Sequence, residues 1–169
     1  MAGLVIRIEC PADIPGARAV NKAAFETGAE AALVDALREN GKFVLSLVAD
    51  MEGEIVGHIL FTEIEMEPGG AAARVLGLAP MAVRPDWQGR GIGSALVRRG
   101  LEDCRELGYR GVVVLGHPEY YPRFGFIPAS RHGITCDYEV PDEVFMAVAL
   151  DAGDLPKGRA RYQPEFAAV

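Results

Sequence analysis

Three glycines at alternate positions, Gly89, Gly91 and Gly93, are suited to binding a phosphate group. They follow an apolar, strand-like segment that ends at Val83, and they precede a stretch of helical periodicity that ends near Leu107. A helix N-terminus leaves backbone N–H groups unpaired and carries partial positive charge, so anions bind there. Glycine lets a phosphate approach the backbone closely and permits the angles that a cradle of N–H groups needs. The candidate pyrophosphate-binding residues are Gln88, Gly89, Arg90, Gly91, Ile92, Gly93 and Ser94.

The same glycines have alternative explanations. A tight strand-to-helix turn would use them without any ligand, and for this motif taken alone that alternative stays open. A dinucleotide-binding fingerprint requires glycine or alanine where this chain has Ser94 or Leu96, so both of its registers fail. A Walker motif is also excluded, because no Gly-Lys-Ser/Thr follows.

Two further sequence features follow one another in a defined order. Gln88-Gly-Arg-Gly-Ile-Gly93 fits the pattern Gln/Arg-x-x-Gly-x-Gly/Ala, and Tyr121-Pro-Arg-Phe-Gly-Phe126 fits Tyr-x-x-x-Gly-Phe. On these motifs the chain resembles the GNAT superfamily of acyl-CoA-dependent N-acetyltransferases. The resemblance spans roughly residues 5–150, and the run from Val112 to Phe126 is similar to a bacterial subgroup of predicted N-acetyltransferases whose acceptors are mostly unassigned.

This resemblance implies a reaction and a role for several residues. The expected reaction transfers an acetyl group from acetyl-CoA to a primary amine by direct attack in a ternary complex. The glycine loop would hold the coenzyme A pyrophosphate, and the backbone of Met81, Ala82 and Val83 would pair with the pantetheine arm. The N–H near Val83 would stabilise the oxyanion, and Tyr121 would act as general acid toward the leaving thiolate.

The general base is where this chain departs from the family pattern. Histone-type members carry a glutamate near the start of the fourth strand, and alignment on Gln88 and the glycines places Gly77 there. His117 is a candidate base, since imidazole side chains titrate near neutrality, and Glu119 is another. A water chain, or an amine that is already neutral, stays an equally open alternative.

The acceptor side is implied by position alone. In the superfamily the connection between the first two helices borders the acceptor, which singles out Phe25, Glu26 and Glu30. The two carboxylates could attract an ammonium group, but solvated charges at helix ends would look the same. Because the pyrophosphate loop is intact and the usual base is absent, the alternative function is a catalytically weak acyl-CoA-binding regulatory module.

Composition sets the remaining expectations. The 169 residues, half of them apolar, suffice for one domain at 1–150, with a tail at 151–169 that packs on it through Tyr162–Phe166. A net charge of -7 argues against nucleic-acid binding, and no apolar run approaches a membrane span. Three widely spaced cysteines give neither a disulfide nor a metal pattern. We expect a cytoplasmic enzyme, monomer or homodimer, that takes a small-molecule or protein amine and no metal.

The elements that must position these residues follow from periodicity and turn residues. The resemblance implies a mixed α/β fold in which a twisted, largely antiparallel sheet of about seven strands splays between strands four and five, flanked by about four helices. His58, inside an apolar strand, is expected to be an ordinary core or edge histidine. The predicted strands are 4–8, 43–49, 54–65, 73–83, 112–115, 126–127 and 144–150, and the predicted helices are 13–25, 30–38, the segment after the glycines, and 118–123.

Overall fold

Ten strands and three α-helices are present in a computed structural model that describes every residue from Met1 to Val169. The strands are β1 (Leu4–Ile8), β2 (Phe43–Met51), β3 (Glu54–Glu63), β4 (Glu65–Glu67), β5 (Val75–Val83), β6 (Gly111–Leu115), β7 (Ile127–Pro128), β8 (Ile134–Cys136), β9 (Phe145–Ala149) and β10 (Gly158–Arg161). The helices are α1 (Ile14–Ala24), α2 (Ala29–Glu39) and α3 (Ile92–Glu106). Seven strands form the main sheet in the order β1-β2-β3-β5-β6-β9-β7. The predicted mixed α/β fold with a seven-stranded sheet is thus confirmed.

The predicted fourth helix is a single 3₁₀ turn at Tyr121–Phe124. Gly125 follows it with φ of 96°, a left-handed conformation that stops a helix after one turn. The predicted strand at 54–65 is interrupted at Ile64, whose N–H bonds to the carbonyl of Val75. The remaining predicted α-helices and main-sheet strands lie within two residues of their observed bounds, because their apolar spacing is strong.

The pairing of β5 with β6 is parallel and short. It joins only Val75, Leu76 and Gly77 to the start of β6, Gly111–Val113. Since β5 continues to Val83, its last residues lie outside that ladder. This is the divergence between the fourth and fifth main strands that the family resemblance implies.

A second sheet, in the order β4-β10-β8, was not predicted. The strand β10 pairs antiparallel with β4 and parallel with β8, over three residues in each case. Strands this short carry no readable alternation, so sequence periodicity missed both β8 and β10. Exposed ion pairs join Arg159 and Arg161 of β10 to Glu67 and Asp137.

The residues divide into two compact units. The first contains Met1–Phe61, Pro80–Gly100 and Pro164–Val169, and the second contains Thr62–Ala79 and Leu101–Gln163. The glycine loop belongs to the first unit and Tyr121 to the second.

In the first unit, the N-terminal half of α3 packs closely on β3. A Cβ placed on Gly57 would lie 3.0 Å from Leu96 Cδ1 and 3.2 Å from Ile92 Cγ2, so glycine allows this close approach. Both apolar side chains are buried, as their helical spacing predicts. This packing fixes the point at which α3 begins.

In the second unit, a core of apolar side chains lies around β5, β6 and β9. Its buried members are Ile64, Met66, Ala73, Val75, Val113, Ala129, Ile134, Phe145, Ala147, Leu155 and Ala160.

Candidate active site

The predicted pyrophosphate loop connects β5 to α3. One 3₁₀ turn, Pro85–Trp87, follows the strand, and Gln88 is extended. Gly89 and Gly91 then adopt φ of 76° and 85°, a conformation that costs other L-residues roughly 1–2 kcal/mol. No other atom lies within 4 Å of a Cβ placed on either glycine. The backbone conformation therefore explains glycine at these two positions, since no neighbouring side chain lies close to them. Their lack of side chains also leaves the surface of the loop open.

Hydrogen bonds hold both ends of this loop. Gln88 Nε2 donates to the carbonyl of Val83 at 3.0 Å, and the N–H of Arg84 donates to the carbonyl of Val56 at 2.9 Å. Ala95 N–H donates to the carbonyl of Gly91 at 3.0 Å, which starts the hydrogen bonding of α3. Both ends of the loop are thus held by hydrogen bonds within the protein.

The start of α3 presents the features of an anion site. The N–H groups of Ile92 and Gly93 precede the first helical hydrogen bond, so they have no acceptor inside the helix. The guanidinium of Arg90 lies over the Trp87 ring, 4.7 Å from its centroid. Backbone donors, the helix dipole and one cation therefore occur together on the exposed loop.

Tyr121 is buried at the start of its 3₁₀ turn, with 7% of its surface exposed. Its ring contacts Tyr120 edge-on at 5.1 Å between centroids and Phe126 at 5.6 Å. Its N–H donates to the carbonyl of His117 at 3.3 Å. Burial, with a smaller contribution from Tyr120, raises the pKa of Tyr121 to about 12. The phenol therefore keeps its proton throughout the physiological pH range.

The two candidate bases have exposed side chains. His117 and Glu119 lie in the turn between β6 and Tyr121. The backbone of His117 has a structural role, because its carbonyl accepts hydrogen bonds from the N–H groups of Tyr120 and Tyr121.

The predicted acceptor-side residues lie at the connection between α1 and α2. Phe25 is half-buried, Glu26 is exposed and Glu30 is half-buried in the first turn of α2. A carboxylate there is stabilised by the helix dipole. One oxygen of Glu30, Oε1, is nevertheless buried with no hydrogen-bond partner in the structure. An unsatisfied carboxylate oxygen is suited to receive a donor such as an ammonium group.

Another polar cluster resembles a nucleophile with its base but cannot act as one. Asn21 Nδ2 lies 3.0 Å from His58 Nδ1, and His58 Nε2 lies 2.9 Å from Ser46 Oγ. Because an amide nitrogen only donates, Nδ1 accepts and Nε2 carries the proton. Ser46 in turn donates to Glu9 at 2.5 Å, so its proton points away from the imidazole. All three side chains are buried, and His58 is the core histidine that its apolar strand predicts.

No group of three or more His, Cys, Asp or Glu side chains is arranged to hold a metal ion. None of the helices is both long enough and apolar enough to span a membrane.

The chain is similar in sequence to known acetyltransferases. The model of the acetyltransferase (GNAT) family matches residues 16–126. The uncharacterized N-acetyltransferase YhbS of Escherichia coli strain K12 is 38% identical over 166 residues, which are 96% of this chain and 98% of YhbS. The chain belongs to the GNAT family of acetyltransferases.

Solved structures of GNAT proteins agree with this assignment. The crystal structure of Escherichia coli YhbS in complex with CoA has a TM-score of 0.92 at 36% identity and covers 97% of this chain and 92% of that one. A GNAT family acetyltransferase from Brucella melitensis in complex with acetyl-CoA has a TM-score of 0.80 at 37% identity and covers 96% of this chain and 97% of that one. The predicted family, fold and enzyme class, an acyl-CoA-dependent N-acetyltransferase, are confirmed. The roles of single residues stay predictions.

The position of the usual GNAT glutamate is covered by a residue that was not among the predicted site residues. A Cβ placed on Gly77 would lie 3.0 Å from Ile64 Cδ1 and 3.1 Å from Tyr162 Cε2. The ring of Tyr162 thus occupies the space that a side chain at position 77 would need. Burial raises the pKa of Tyr162 above its ordinary value, so this phenol is neutral and does not replace the carboxylate as a base. The aromatic character of Tyr162, just after β10, was the only sequence signal for it.

Proposed function

We propose that this GNAT enzyme transfers the acetyl group of acetyl-CoA to a primary amine, which attacks the thioester directly in a ternary complex. Acetyl-CoA is the co-substrate of this reaction. The observation that carries it is the loop from Gln88 to Ser94, whose glycines have strained φ angles and open surroundings. Such a loop is explained by a ligand that approaches its backbone closely.

On the coenzyme side, the loop binds the pyrophosphate of acetyl-CoA. The N–H groups of Ile92 and Gly93 donate to phosphate oxygens, and Arg90 supplies a positive charge within the loop. The backbone of Met81, Ala82 and Val83 lies outside the ladder with β6, which supports its pairing with the pantetheine arm as an added strand would.

The chemical step exchanges one bond for another. The amine nitrogen bonds to the acyl carbon, the carbon–sulfur bond breaks, the nitrogen loses one proton and the sulfur gains one. A backbone N–H near Val83 stabilises the oxyanion of the tetrahedral intermediate. This stabilisation is needed only in the transition state, so it raises the rate without tightening substrate binding.

Tyr121 is the general acid of this proposal. A phenol with a pKa of about 12 is a weaker acid than an alkyl thiol, whose pKa is about 8.5, so transfer of its proton to the departing sulfur is unfavourable unless the phenolate is reprotonated. The proton that the nitrogen loses then restores the phenol, and the net transfer runs from nitrogen to sulfur. This proton transfer does not require a strong base, in keeping with the absence of a carboxylate at Gly77.

The acceptor is expected to bind as an ammonium cation and to lose one proton to solvent before it attacks as the neutral amine. Glu26 and Glu30 lie at the connection that borders the acceptor in GNAT proteins, and Glu30 Oε1 has no internal partner. The net charge of -7 also favours an amine over an anionic acceptor. A protein amino group and a small amine both satisfy this chemistry.

The first experiment is calorimetric titration with acetyl-CoA, with desulfo-coenzyme A and longer acyl-CoAs as comparators. Saturable 1:1 binding is expected, followed by acetyl transfer in a screen of primary amines. A folded sample that does not bind would overturn the proposal. Binding without turnover on any amine would favour the second candidate, a regulatory acyl-CoA-binding module, which the covered position at Gly77 supports.

A further inference from the structure

The aromatic ring of Tyr121 rests directly on the backbone of Gly116, just after β6. A Cβ placed on Gly116 would lie 2.4 Å from Cε2, 2.9 Å from Cδ2 and 3.4 Å from Cζ of Tyr121. Real Cβ atoms do not approach other atoms at 2.4 Å, so the ring occupies the volume that any side chain at position 116 would need.

Gly116 is not required for an unusual backbone. Its φ lies outside the left-handed range that favours glycine, so this angle does not by itself require glycine. The contact with the Tyr121 ring is thus the local reason for glycine at this position.

The surroundings prevent Gly116 from yielding. Its N–H donates to the carbonyl of Val144 at 3.0 Å, and the preceding residue, Leu115, is paired with Phe145 of β9. The floor under the ring is therefore held by the sheet. Tyr120 and Phe126 contact the ring edge-on. Because the backbone at Gly116 is held by the sheet, a side chain added at this position would have to displace the ring.

We propose that Gly116 is a positioning residue for acyl transfer: by lacking a side chain it sets where the phenolic oxygen of Tyr121 lies. This inference rests on the proposed function, in which Tyr121 gives its proton to the departing sulfur. A methyl group on residue 116 would have to move the ring by about 1 Å to reach ordinary contact, and a displacement of this size can reduce a rate by about 10²-fold.

The test is a double-mutant cycle on kcat with Gly116→Ala, Tyr121→Phe and the combined variant. Gly116→Ala is expected to lower kcat by about 10- to 100-fold with the KM for acetyl-CoA changed less than about twofold. The combined variant is expected to match Tyr121→Phe alone, because displacing the ring lowers kcat only through the position of the hydroxyl, which Tyr121→Phe has already removed. Multiplied losses in the combined variant, or wild-type kcat in Gly116→Ala, would overturn the inference.

Gly111→Ala is the matched control. It lies in β6, the strand that Gly116 follows, its φ is also outside the left-handed range, and its Cβ would meet Leu155 Cδ2 at the same 2.4 Å. It is expected to lower the Tm while leaving kcat within about twofold of wild type, since it displaces an aliphatic core side chain. Equal losses of kcat in Gly111→Ala and Gly116→Ala would reduce the role of Gly116 to general packing.

Two further outcomes separate this inference from the proposed function. Wild-type kcat in Tyr121→Phe would remove the general acid from the proposed function. The contact between the Tyr121 ring and Gly116 is tested by stability alone. Gly116→Ala is expected to lower the Tm in the wild-type background but not in a Tyr121→Ala background. The same loss of Tm in both backgrounds would refute the contact even in variants without activity.

Discussion

At the scale of a single residue, the burial of Tyr121 determines both the position of its ring and the pKa of its hydroxyl. Three aromatic neighbours and the floor at Gly116 fix its ring, and the same burial raises its pKa to about 12. A general acid must be protonated to work, and this phenol is protonated at any pH well below 12. The phenol therefore meets the protonation requirement of the proposed general acid.

Replacement of Tyr121 by phenylalanine tests that hydroxyl. We expect kcat to fall by about 10- to 100-fold while the Kd for acetyl-CoA stays within about twofold, because the hydroxyl acts on charge that develops only during the reaction. Steady-state kinetics and calorimetry on the same samples measure both quantities. An equal loss of turnover and affinity would assign Tyr121 to structure.

His117 is tested by the pH dependence of kcat/KM. If its imidazole removes the proton from the amine, His117→Ala is expected to lower the rate and to remove the acid limb that a protonated imidazole imposes. Glu119→Gln removes the other candidate base, which is also exposed, and is expected to keep the wild-type profile if His117 is the base. An unchanged profile in His117→Ala would leave the proton to water or to an amine that is already neutral.

At the scale of elements, the junction of β5 with α3 is the proposed coenzyme site. The Gln88–Val83 hydrogen bond fixes one end of the loop, and the packing of Leu96 on Gly57 fixes the helix that follows. Because the backbone is held in advance, little ordering cost remains when a pyrophosphate binds.

Two glycines with the same local properties separate backbone strain from ligand binding. Gly91 and Gly41 have φ of 85° and 63°, and a Cβ placed on either would have no other atom within 4 Å. Alanine at either position is expected to cost roughly 1–2 kcal/mol of stability. Only Gly91→Ala is expected to weaken acetyl-CoA binding, by about tenfold or more, as measured by calorimetry. Equal affinities in the two variants would mean that the loop does not hold the phosphates.

At the scale of the whole molecule, stability in acid depends on a buried polar network. Its hydrogen bonds are all donated in one direction: Asn21 donates to His58, His58 donates to Ser46 and Ser46 donates to Glu9. Arg38 then neutralises Glu9 through an ion pair at 2.5 Å. Burial, with a smaller contribution from Arg38, lowers the pKa of His58 to about 3, so the folded protein holds this imidazole neutral.

A lowered histidine pKa makes the protein less stable in acid. The unfolded chain binds a proton at His58 near pH 6.5 and the folded chain only near pH 3, so this contribution is complete above pH 6.5 and is lost progressively below it. Between about pH 6 and 4 we expect His58 to contribute a slope of up to about 1.4 kcal/mol per pH unit to the free energy of unfolding. Denaturant unfolding across this range measures it.

His58→Gln is the control for that slope, because glutamine is polar and does not titrate. Its free energy of unfolding should change less with pH over the same window, where the remaining dependence comes from carboxylates. The pKa of Asp13, held well below its usual range by Arg7, affects stability only at lower pH. Parallel pH profiles for the wild type and His58→Gln would show that His58 is not the group responsible.

The sequence by itself determined the features that are encoded locally. The glycine loop, the start of α3 and the Tyr-x-x-x-Gly-Phe turn each occupy a few consecutive residues, so backbone preferences and spacing suffice to identify them. The main strands and helices were also predicted, since each repeats its apolar residues over several turns or pleats. The family followed from those motifs.

Only the tertiary structure decided which distant residues meet. Tyr162 covers Gly77 from 85 positions away in the chain, Tyr121 rests on Gly116, and β10 pairs with β8 through strands too short to show a pattern. The same holds for the chain of hydrogen bonds through His58, whose members come from five different segments. Such contacts are selected by the packing of whole surfaces, and local sequence carries no record of the partner a side chain finds across the core.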